Sequence, residues 1–270
     1  MKKIIVFETG LFLFLVLFTF FLLSDEKKQE KEVIEPHSIA RLLLLAKEPL
    51  GRTMYVWGGG WNETDTGAGV EARSLGMSSA WEEFAKKQNE SYDYRDTRYQ
   101  IHDGLDCSGY IGWVVYNLFE TKSGEAGYVE KASDMAAVLA GRGFGTFTEA
   151  SEVTDWQTGD IMSMEGHVWM ALGACEDGSV VLIHASPPGV ILSGTRLPNG
   201  EASMAELLAK EYMSAYYPQW YKKYPVTGCD YRYLTDSACM RWDEGVLSDQ
   251  QGLRSMRAKE VLQWLFAGNK

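Results

Sequence analysis

One cysteine has the surroundings that nucleophilic catalysis requires. Cys107 directly follows Asp106, a residue type that favours the N-cap of a helix, and it precedes an apolar stripe at helical spacing over 111–119. This spacing predicts that Cys107 lies on the first turn of a helix. Unpaired amides and the helix dipole at that position favour the thiolate, the form that attacks carbonyl carbons, and they are expected to lower the thiol pKa.

A nucleophilic cysteine also needs a base, and two of the four histidines lie where the fold could present one. His167 begins the apolar run 167–172, and His184 lies near the end of the apolar run 180–185. The loop between the two runs contains Gly and Asp, so the runs predict a β-hairpin. The remaining histidines are predicted at the surface: His37 and His102.

The hairpin has two candidate registers, and the residues leave both open. A four-residue loop places His167 directly opposite His184, about 5 Å away, so that one imidazole orients the other while that one faces Cys107. A two-residue turn on 177–178 pairs His184 with Ala171 instead, which separates the imidazoles by about 13 Å. Only the first register gives Cys107 an oriented base.

Capping residues and helical spacing predict the elements around these side chains. Ser38 caps a helix with apolar positions over 39–46, and Ser79 with Glu82 makes a capping box for a helix at 80–88. Three further helices are predicted at 134–140, 202–213 and 255–266.

The beginning of the chain is predicted to lie outside the fold. Two lysines precede an apolar stretch at 4–23, the arrangement of an export signal, and about 20 residues match the thickness of a bilayer. A membrane anchor at 1–24 is favoured, with a cleaved signal as the alternative. An anchored chain would face outward from the cytoplasmic membrane, and a cleaved one would be secreted. A charged linker at 25–36 leads into one predicted domain at 37–270.

Composition restricts the class of protein. The 270 residues are 46% hydrophobic, as in a globular chain, and 26 Lys and Arg against 37 Asp and Glu give a net charge of −11. Such a chain repels phosphate backbones, so nucleic acid is not expected as a partner. The four cysteines form no C-x-x-C pair, and neither a metal nor a cofactor is predicted. Cys229 and Cys239 allow either a disulfide or two free thiols.

Five short patterns occur along the chain in a recognisable order. They are Tyr-Val-Trp-Gly-Gly at 55–59, Asp-Cys-Ser-Gly-Tyr at 106–110, Gly-Asp-Ile at 159–161, His-Val at 167–168 and Ile-His-Ala at 183–185. On these patterns the stretch 38–192 resembles the NlpC-type family of bacterial cell-wall cysteine peptidases. The resemblance implies an α+β, papain-like fold in which an antiparallel β-sheet packs on the helix that carries the nucleophilic cysteine.

The resemblance also implies roles for particular residues. Cys107 would be the nucleophile, His167 the general base and His184 the group that orients the base. Tyr55 would help to hold the oxyanion or the substrate beside the Cys107 amide. Two residues would line the substrate cleft: Asp106 and Ser108.

The implied activity is hydrolysis of the peptide stem of peptidoglycan after D-glutamate, with stem peptides as the partner. Similar Cys–His folds also cut between the glycan and its peptide, so an N-acetylmuramoyl-L-alanine amidase is the alternative. A second alternative is a non-catalytic, anchored module that binds the cell wall. The intact set of Cys107, His167 and His184 favours an enzyme over that module.

Two segments depart from the family pattern: the insertion 61–103 and the C-terminal extension 193–270. The insertion begins just after the glycine run beside Tyr55 and ends just before Asp106, so both of its ends are expected near the nucleophile. It is therefore predicted to narrow the substrate cleft. Its candidate wall residues are aromatic: Trp81, Tyr92, Tyr94 and Tyr99. Its candidate ligands for a substrate carboxylate are Arg73, Arg95 and Arg98.

Overall fold

The computed structural model describes residues 34–119 and 127–267. In this part of the chain, helices pack around a single β-sheet whose strands do not follow one another in sequence order. The strands are β1 (Gly145–Thr148), β2 (Ile161–Met164), β3 (His167–Ala174), β4 (Val180–Ser186), β5 (Gly189–Gly194) and β6 (Ala238–Trp242). They form one antiparallel sheet in the order β1-β6-β2-β3-β4-β5. The helices are α1 (Ile39–Lys47), α2 (Ser79–Lys87), α3 (Cys107–Phe119), α4 (Met135–Gly141), α5 (Met204–Tyr216), α6 (Pro218–Lys223), α7 (Arg232–Thr235) and α8 (Ala258–Phe266). An α+β fold with an antiparallel sheet is thus confirmed.

The helix that carries Cys107 lies in the centre of this fold. α3 packs against α1 on one side and against β3 and β4 on the other. Every residue from 107 to 118 is buried, so the predicted apolar stripe is one part of a helix that is covered all round. The Tyr110 hydroxyl donates a 2.8 Å hydrogen bond to the carbonyl of Ala46 in α1. These contacts hold the start of α3 in place.

The helices predicted from capping and spacing are confirmed, although most of their starts are shifted. α1 follows Ser38, whose hydroxyl accepts a 3.1 Å hydrogen bond from the Arg41 amide. α2 is capped by Ser78 instead of the predicted Ser79. The other starts fall at Met135, Met204 and Ala258. Such shifts are expected, because neighbouring polar side chains compete for the same terminal amides.

The hairpin is confirmed, but neither predicted register is correct. Ala171 lies opposite Leu182. One predicted register places Ala171 opposite His184, and the other places His167 opposite His184. The observed pairing is midway between these two, so the histidines are diagonal neighbours across the strands and not a directly opposed pair.

The hairpin loop explains this register. The Cys175 amide donates to the Ser179 carbonyl at 2.7 Å, and Gly178 has a φ of 80°, as in a three-residue loop that ends in a left-handed glycine. The pairing shifts once more between Ala171 and Ala174, where β3 contains a bulge. The loop and the bulge together produce a register that no simple two- or four-residue loop allows.

The C-terminal extension contributes a strand to the sheet. β6 pairs with β1 on one edge and with β2 on the other. The Arg241 guanidinium donates to the Asp160 carboxylate at 2.7 Å, and the Trp242 indole donates to the Gly159 carbonyl at 2.9 Å. The Gly-Asp-Ile pattern therefore anchors the extension. Sequence reasoning missed β1, β2, β5 and β6, because strands of four to six residues with distant partners leave little periodicity.

The four cysteines are free thiols. Cys229 Sγ lies 3.2 Å from the Ser193 hydroxyl oxygen, whereas Cys239 lies in β6 opposite Thr148 on one side and Met162 on the other. The two thiols thus have different neighbours, and the disulfide that the sequence allowed is not formed.

The predicted anchor at 1–24 and most of the linker at 25–36 lie outside the described residues. Within 34–119 and 127–267, no helix has the length and the apolar character needed to cross a bilayer. Glu35–Lys270 form one compact unit, to which the sheet and its helices belong.

Candidate active site

Asp106 caps the helix on which Cys107 is the first residue, as predicted. One carboxylate oxygen of Asp106 accepts hydrogen bonds from the Gly109 amide at 2.7 Å and from the Ser108 hydroxyl at 2.9 Å. The Trp61 indole donates to the Ser108 hydroxyl oxygen at 3.0 Å. Asp106 and Ser108, predicted to line the cleft, are both buried. Their bonds stiffen the turn that presents the cysteine.

The environment of the thiol contradicts the expected lowering of its pKa. Cys107 is only 6% exposed. Burial, followed by the charge of the adjacent Asp106, raises the Cys107 pKa to about 12, although the Val168 amide hydrogen-bonds the sulfur and acts in the opposite direction. Desolvation of a thiolate outweighs the helix dipole here. The resting cysteine is therefore a neutral thiol.

His167 and His184 form a hydrogen-bonded pair next to this thiol. Nε2 of His167 lies 2.8 Å from Nδ1 of His184, and their ring planes are inclined by 78°. His167 directly precedes Val168, whose amide hydrogen-bonds the Cys107 sulfur, so the start of β3 that carries His167 lies close to the thiol. Burial lowers the His167 pKa to about 4. Burial and the neighbouring imidazole lower the His184 pKa well below its ordinary value, and both rings are neutral near pH 7.

The hydrogen bond between the rings couples the positions of their protons. In the tautomer in which Nδ1 of His167 is unprotonated, Nε2 of His167 carries hydrogen and donates to Nδ1 of His184. His184 then carries its own proton on Nε2, a buried atom without a hydrogen-bond partner in the described part of the chain. No hydrogen bond from these residues holds the Nε2 side of the His184 ring, so packing against neighbouring side chains must position it.

Tyr233 of α7 packs against both imidazole rings, and it was not identified from the sequence. Its ring centroid lies 5.5 Å from that of His167 and 6.2 Å from that of His184. Its hydroxyl hydrogen-bonds the Cys229 thiol, and burial raises the Tyr233 pKa. No signal in the sequence distinguishes it from the other 13 of the 14 tyrosines, because its contact with the pair depends on how the C-terminal extension folds back.

Tyr55 lies near the cysteine, as predicted. Its pKa is raised, mainly by burial and then by its closeness to Cys107 and Asp106, whose ionised forms disfavour a negative charge on the tyrosine. The Tyr55 carbonyl accepts a 2.6 Å hydrogen bond from the Tyr92 hydroxyl, and the Tyr94 ring packs edge-on against the Tyr55 ring with centroids 5.5 Å apart. Two aromatic residues of insertion 61–103 therefore contact the candidate site.

Other predicted residues of the insertion have different surroundings. Trp81 is fully buried and packs edge-on against Trp113 of α3, so it belongs to the core and not to a groove wall. Arg73 donates to the Gly69 carbonyl, and Arg95 pairs with Asp93. The remaining predicted residues are exposed: Arg98, Tyr99 and the surface histidines His37 and His102.

Removal of the histidine pair is expected to flatten the pH dependence of folding stability. Unfolded histidines bind a proton below about pH 6.5, whereas folded His167 stays neutral down to about 4. The unfolded state therefore binds more protons in this window, and stability falls as the pH is lowered through it. Asp106, whose pKa is raised to about 6, acts in the opposite direction. The loss caused by the pair should reach at least about 2 kcal/mol at pH 4.5.

Urea unfolding near pH 7 and near pH 4.5 measures this difference for the wild type and for the double variant His167→Gln/His184→Gln. Asp106 and the surface carboxylates contribute equally in both chains and cancel in the comparison. An equal loss of free energy of unfolding in the two chains would show that the histidines are not buried in the neutral form.

The described residues thus define an α+β protein with a cluster of Cys107, His167 and His184, in which Cys107 and His184 are buried and His167 is half-buried. No group of three or more His, Cys, Asp or Glu side chains within 34–119 and 127–267 is placed to hold a metal ion. No family model, curated protein or solved structure matches the chain.

Proposed function

We propose that this protein is a papain-like, NlpC-type cysteine peptidase that hydrolyses the peptide stem of peptidoglycan on the outer side of the cytoplasmic membrane. The observation that carries the proposal is the 2.8 Å contact between His167 and His184 beside a cysteine on the first turn of a helix. A nucleophile, a base and a group that orients the base are what acyl transfer requires. The order of the sequence patterns supports the peptidoglycan stem as the substrate.

The first step transfers the thiol proton of Cys107 to Nδ1 of His167 as the sulfur bonds to the scissile carbonyl carbon. The imidazolium that forms keeps its hydrogen bond to Nδ1 of His184, which is a neutral acceptor. The unpaired amide at the start of α3 and the Tyr55 hydroxyl stabilise the oxyanion. His167 then protonates the leaving amine, and water hydrolyses the resulting thioester.

The resting state is a neutral thiol beside a neutral imidazole, because the Cys107 pKa is raised and the His167 pKa is lowered by the same burial. Proton transfer is therefore coupled to attack on the bound substrate, where the developing charges are stabilised together. Exclusion of water strengthens each of these electrostatic interactions.

Mass spectrometry of a defined disaccharide-tetrapeptide incubated with the purified chain tests the proposed function. An endopeptidase releases a dipeptide and leaves L-alanine and D-glutamate on the sugar. An amidase releases the whole tetrapeptide from the sugar instead. The proposal predicts the first pair of products, and an unchanged substrate would contradict it.

Tyr233 is expected to position the histidine pair. Tyr233→Ala removes the ring that covers both imidazoles and should lower kcat about tenfold, because a 1 Å misplacement of catalytic groups costs up to about 100-fold. Better solvation should also raise the His167 pKa towards its ordinary value. Since the base must be unprotonated, the acidic limb of the kcat/KM profile should move to higher pH.

Tyr233→Phe is the matched control, since it keeps the ring and loses only the hydrogen bond to Cys229. Its kcat and its acidic limb should stay close to those of the wild type. If both variants lose activity equally with an unmoved acidic limb, the ring does not position the pair.

A further inference from the structure

An exposed arginine lies over two aromatic rings beside the candidate site. The Arg98 guanidinium carbon is 5.0 Å from the ring centroid of Trp57 and 5.6 Å from that of Tyr99. These rings are 43% and 62% exposed, unusual values for large aromatic side chains. None of the ion pairs among the described residues includes Arg98. Its charge is thus available to a ligand.

The backbone holds this cluster in a defined position. Tyr99 has a φ of 64°, in the left-handed region that residues other than glycine seldom adopt. Its amide donates a 2.8 Å hydrogen bond to the Trp57 carbonyl, which ties the insertion to the loop after Tyr55. Strained residues of this kind persist where the surrounding structure over-determines them, and they concentrate at functional sites.

The loop that carries Trp57 is bonded to the residue before the nucleophile. The Gly58 amide hydrogen-bonds the Asp106 carboxylate, and the Asp106 amide donates to the Gly59 carbonyl at 2.9 Å. Asp106 is covalently joined to Cys107. The Arg98 cluster, which consists of Trp57, Arg98 and Tyr99, therefore lies at the edge of the candidate active site.

Charge favours an anionic ligand at this cluster. The chain has a net charge of −11, so an acidic peptide is repelled by most of the protein. The two other arginines predicted as carboxylate ligands already have partners. Arg95 pairs with the Asp93 carboxylate, and Arg73 donates a hydrogen bond to the Gly69 carbonyl. A guanidinium that is stacked on aromatic faces keeps its planar fork in one orientation, which suits bidentate binding of a carboxylate.

We propose that the Arg98 cluster binds a free carboxylate of the stem peptide, so that the protein prefers stems in which this carboxylate is not amidated. This inference rests on the proposed function and adds the selection of substrate by insertion 61–103. Apart from the C-terminal carboxylate that every stem carries, peptidoglycan stems offer two carboxylates that amidation can remove, the free α-carboxylate of a γ-linked glutamate and the side-chain carboxylate of a diamino acid. The chemistry at Arg98 is the same for both.

Binding to the inactive Cys107→Ala chain tests the proposal. Calorimetry would compare three stem tetrapeptides with the same free C-terminus: one with both of these carboxylates free, one amidated only at glutamate and one amidated only at the diamino acid. We expect at least about tenfold weaker binding for one of the two amides. Arg98→Gln should make the affinities for the acid and for that amide equal, and Trp57→Ala should reduce the preference.

Arg95→Gln is the matched control, an exposed arginine of the same insertion with its own carboxylate partner, and it should keep the preference. Equal binding of all three peptides by the Cys107→Ala chain, or an unchanged preference in Arg98→Gln, would overturn the proposal. Hydrolysis of the acid stem by the active chain is measured in parallel. Hydrolysis without discrimination refutes only the carboxylate site, whereas absence of both stem binding and hydrolysis refutes the proposed function.

Discussion

Cys107→Ala is expected to abolish hydrolysis of the peptide stem, with a fall in rate of at least about 1,000-fold. In the proposed mechanism the sulfur is the atom that bonds to the carbonyl carbon, so the covalent intermediate cannot form without it. The variant should stay folded, because loss of one small buried atom costs about 1 kcal/mol. Release of stem fragments measures activity, and circular dichroism during urea unfolding measures the fold.

Cys175→Ala is the matched control for this variant. Cys175 is also a buried thiol, 5% exposed, and burial raises its pKa to about 11, but it lies in the hairpin loop at the far end of β3 from His167. Its replacement should leave the rate unchanged. Fragment release at the wild-type rate by Cys107→Ala would mean that the assigned mechanism is wrong.

His167→Ala should also lower the rate by at least about 1,000-fold, since both the proton acceptor and the later proton donor are lost. His184→Ala should have a smaller effect, about 100-fold, because His167 keeps its chemistry but loses the acceptor that fixes its tautomer and stabilises its charge. Single-turnover rates with a defined stem peptide would separate these effects from changes in binding.

His184→Asn tests whether this contact acts through orientation. An asparagine side-chain oxygen can accept the hydrogen bond from Nε2 of His167, as Nδ1 of His184 does, so a substantial part of the rate should return. If His184→Asn and His184→Ala are equally slow, His184 acts through some property other than accepting this hydrogen bond. If His167→Ala remains fully active, the base is misassigned.

Insertion 61–103 and the C-terminal extension 193–270 both contribute residues that contact the candidate site. The C-terminal extension covers the histidine pair with Tyr233 and joins the sheet through β6. Insertion 61–103 packs Tyr94 against Tyr55 and buries Trp81 in the core. Removal of the whole insertion would therefore destabilise the fold, and single substitutions at its surface are the better test of its role in specificity.

Local signals in the sequence determined much of the arrangement at the nucleophile. The Asp106 cap placed Cys107 on a first helical turn, and the capping residue Ser38 predicted the start of α1, because a cap involves only residues three positions apart or fewer. The hairpin that carries His167 and His184 was predicted from two apolar runs and a turn between them. In each of these cases the determining residues are neighbours along the chain.

The tertiary structure alone decided the features that depend on distant residues. A three-residue loop and a bulge in β3 together set the hairpin register, and folding back of the C-terminal extension brought Tyr233 onto the imidazoles. Burial reversed the expected direction of the Cys107 pKa shift, because the desolvation of a charge depends on everything packed around it. Sequence spacing reports which residues share a turn or a face, whereas burial, register and long-range contacts arise only when the whole chain has packed.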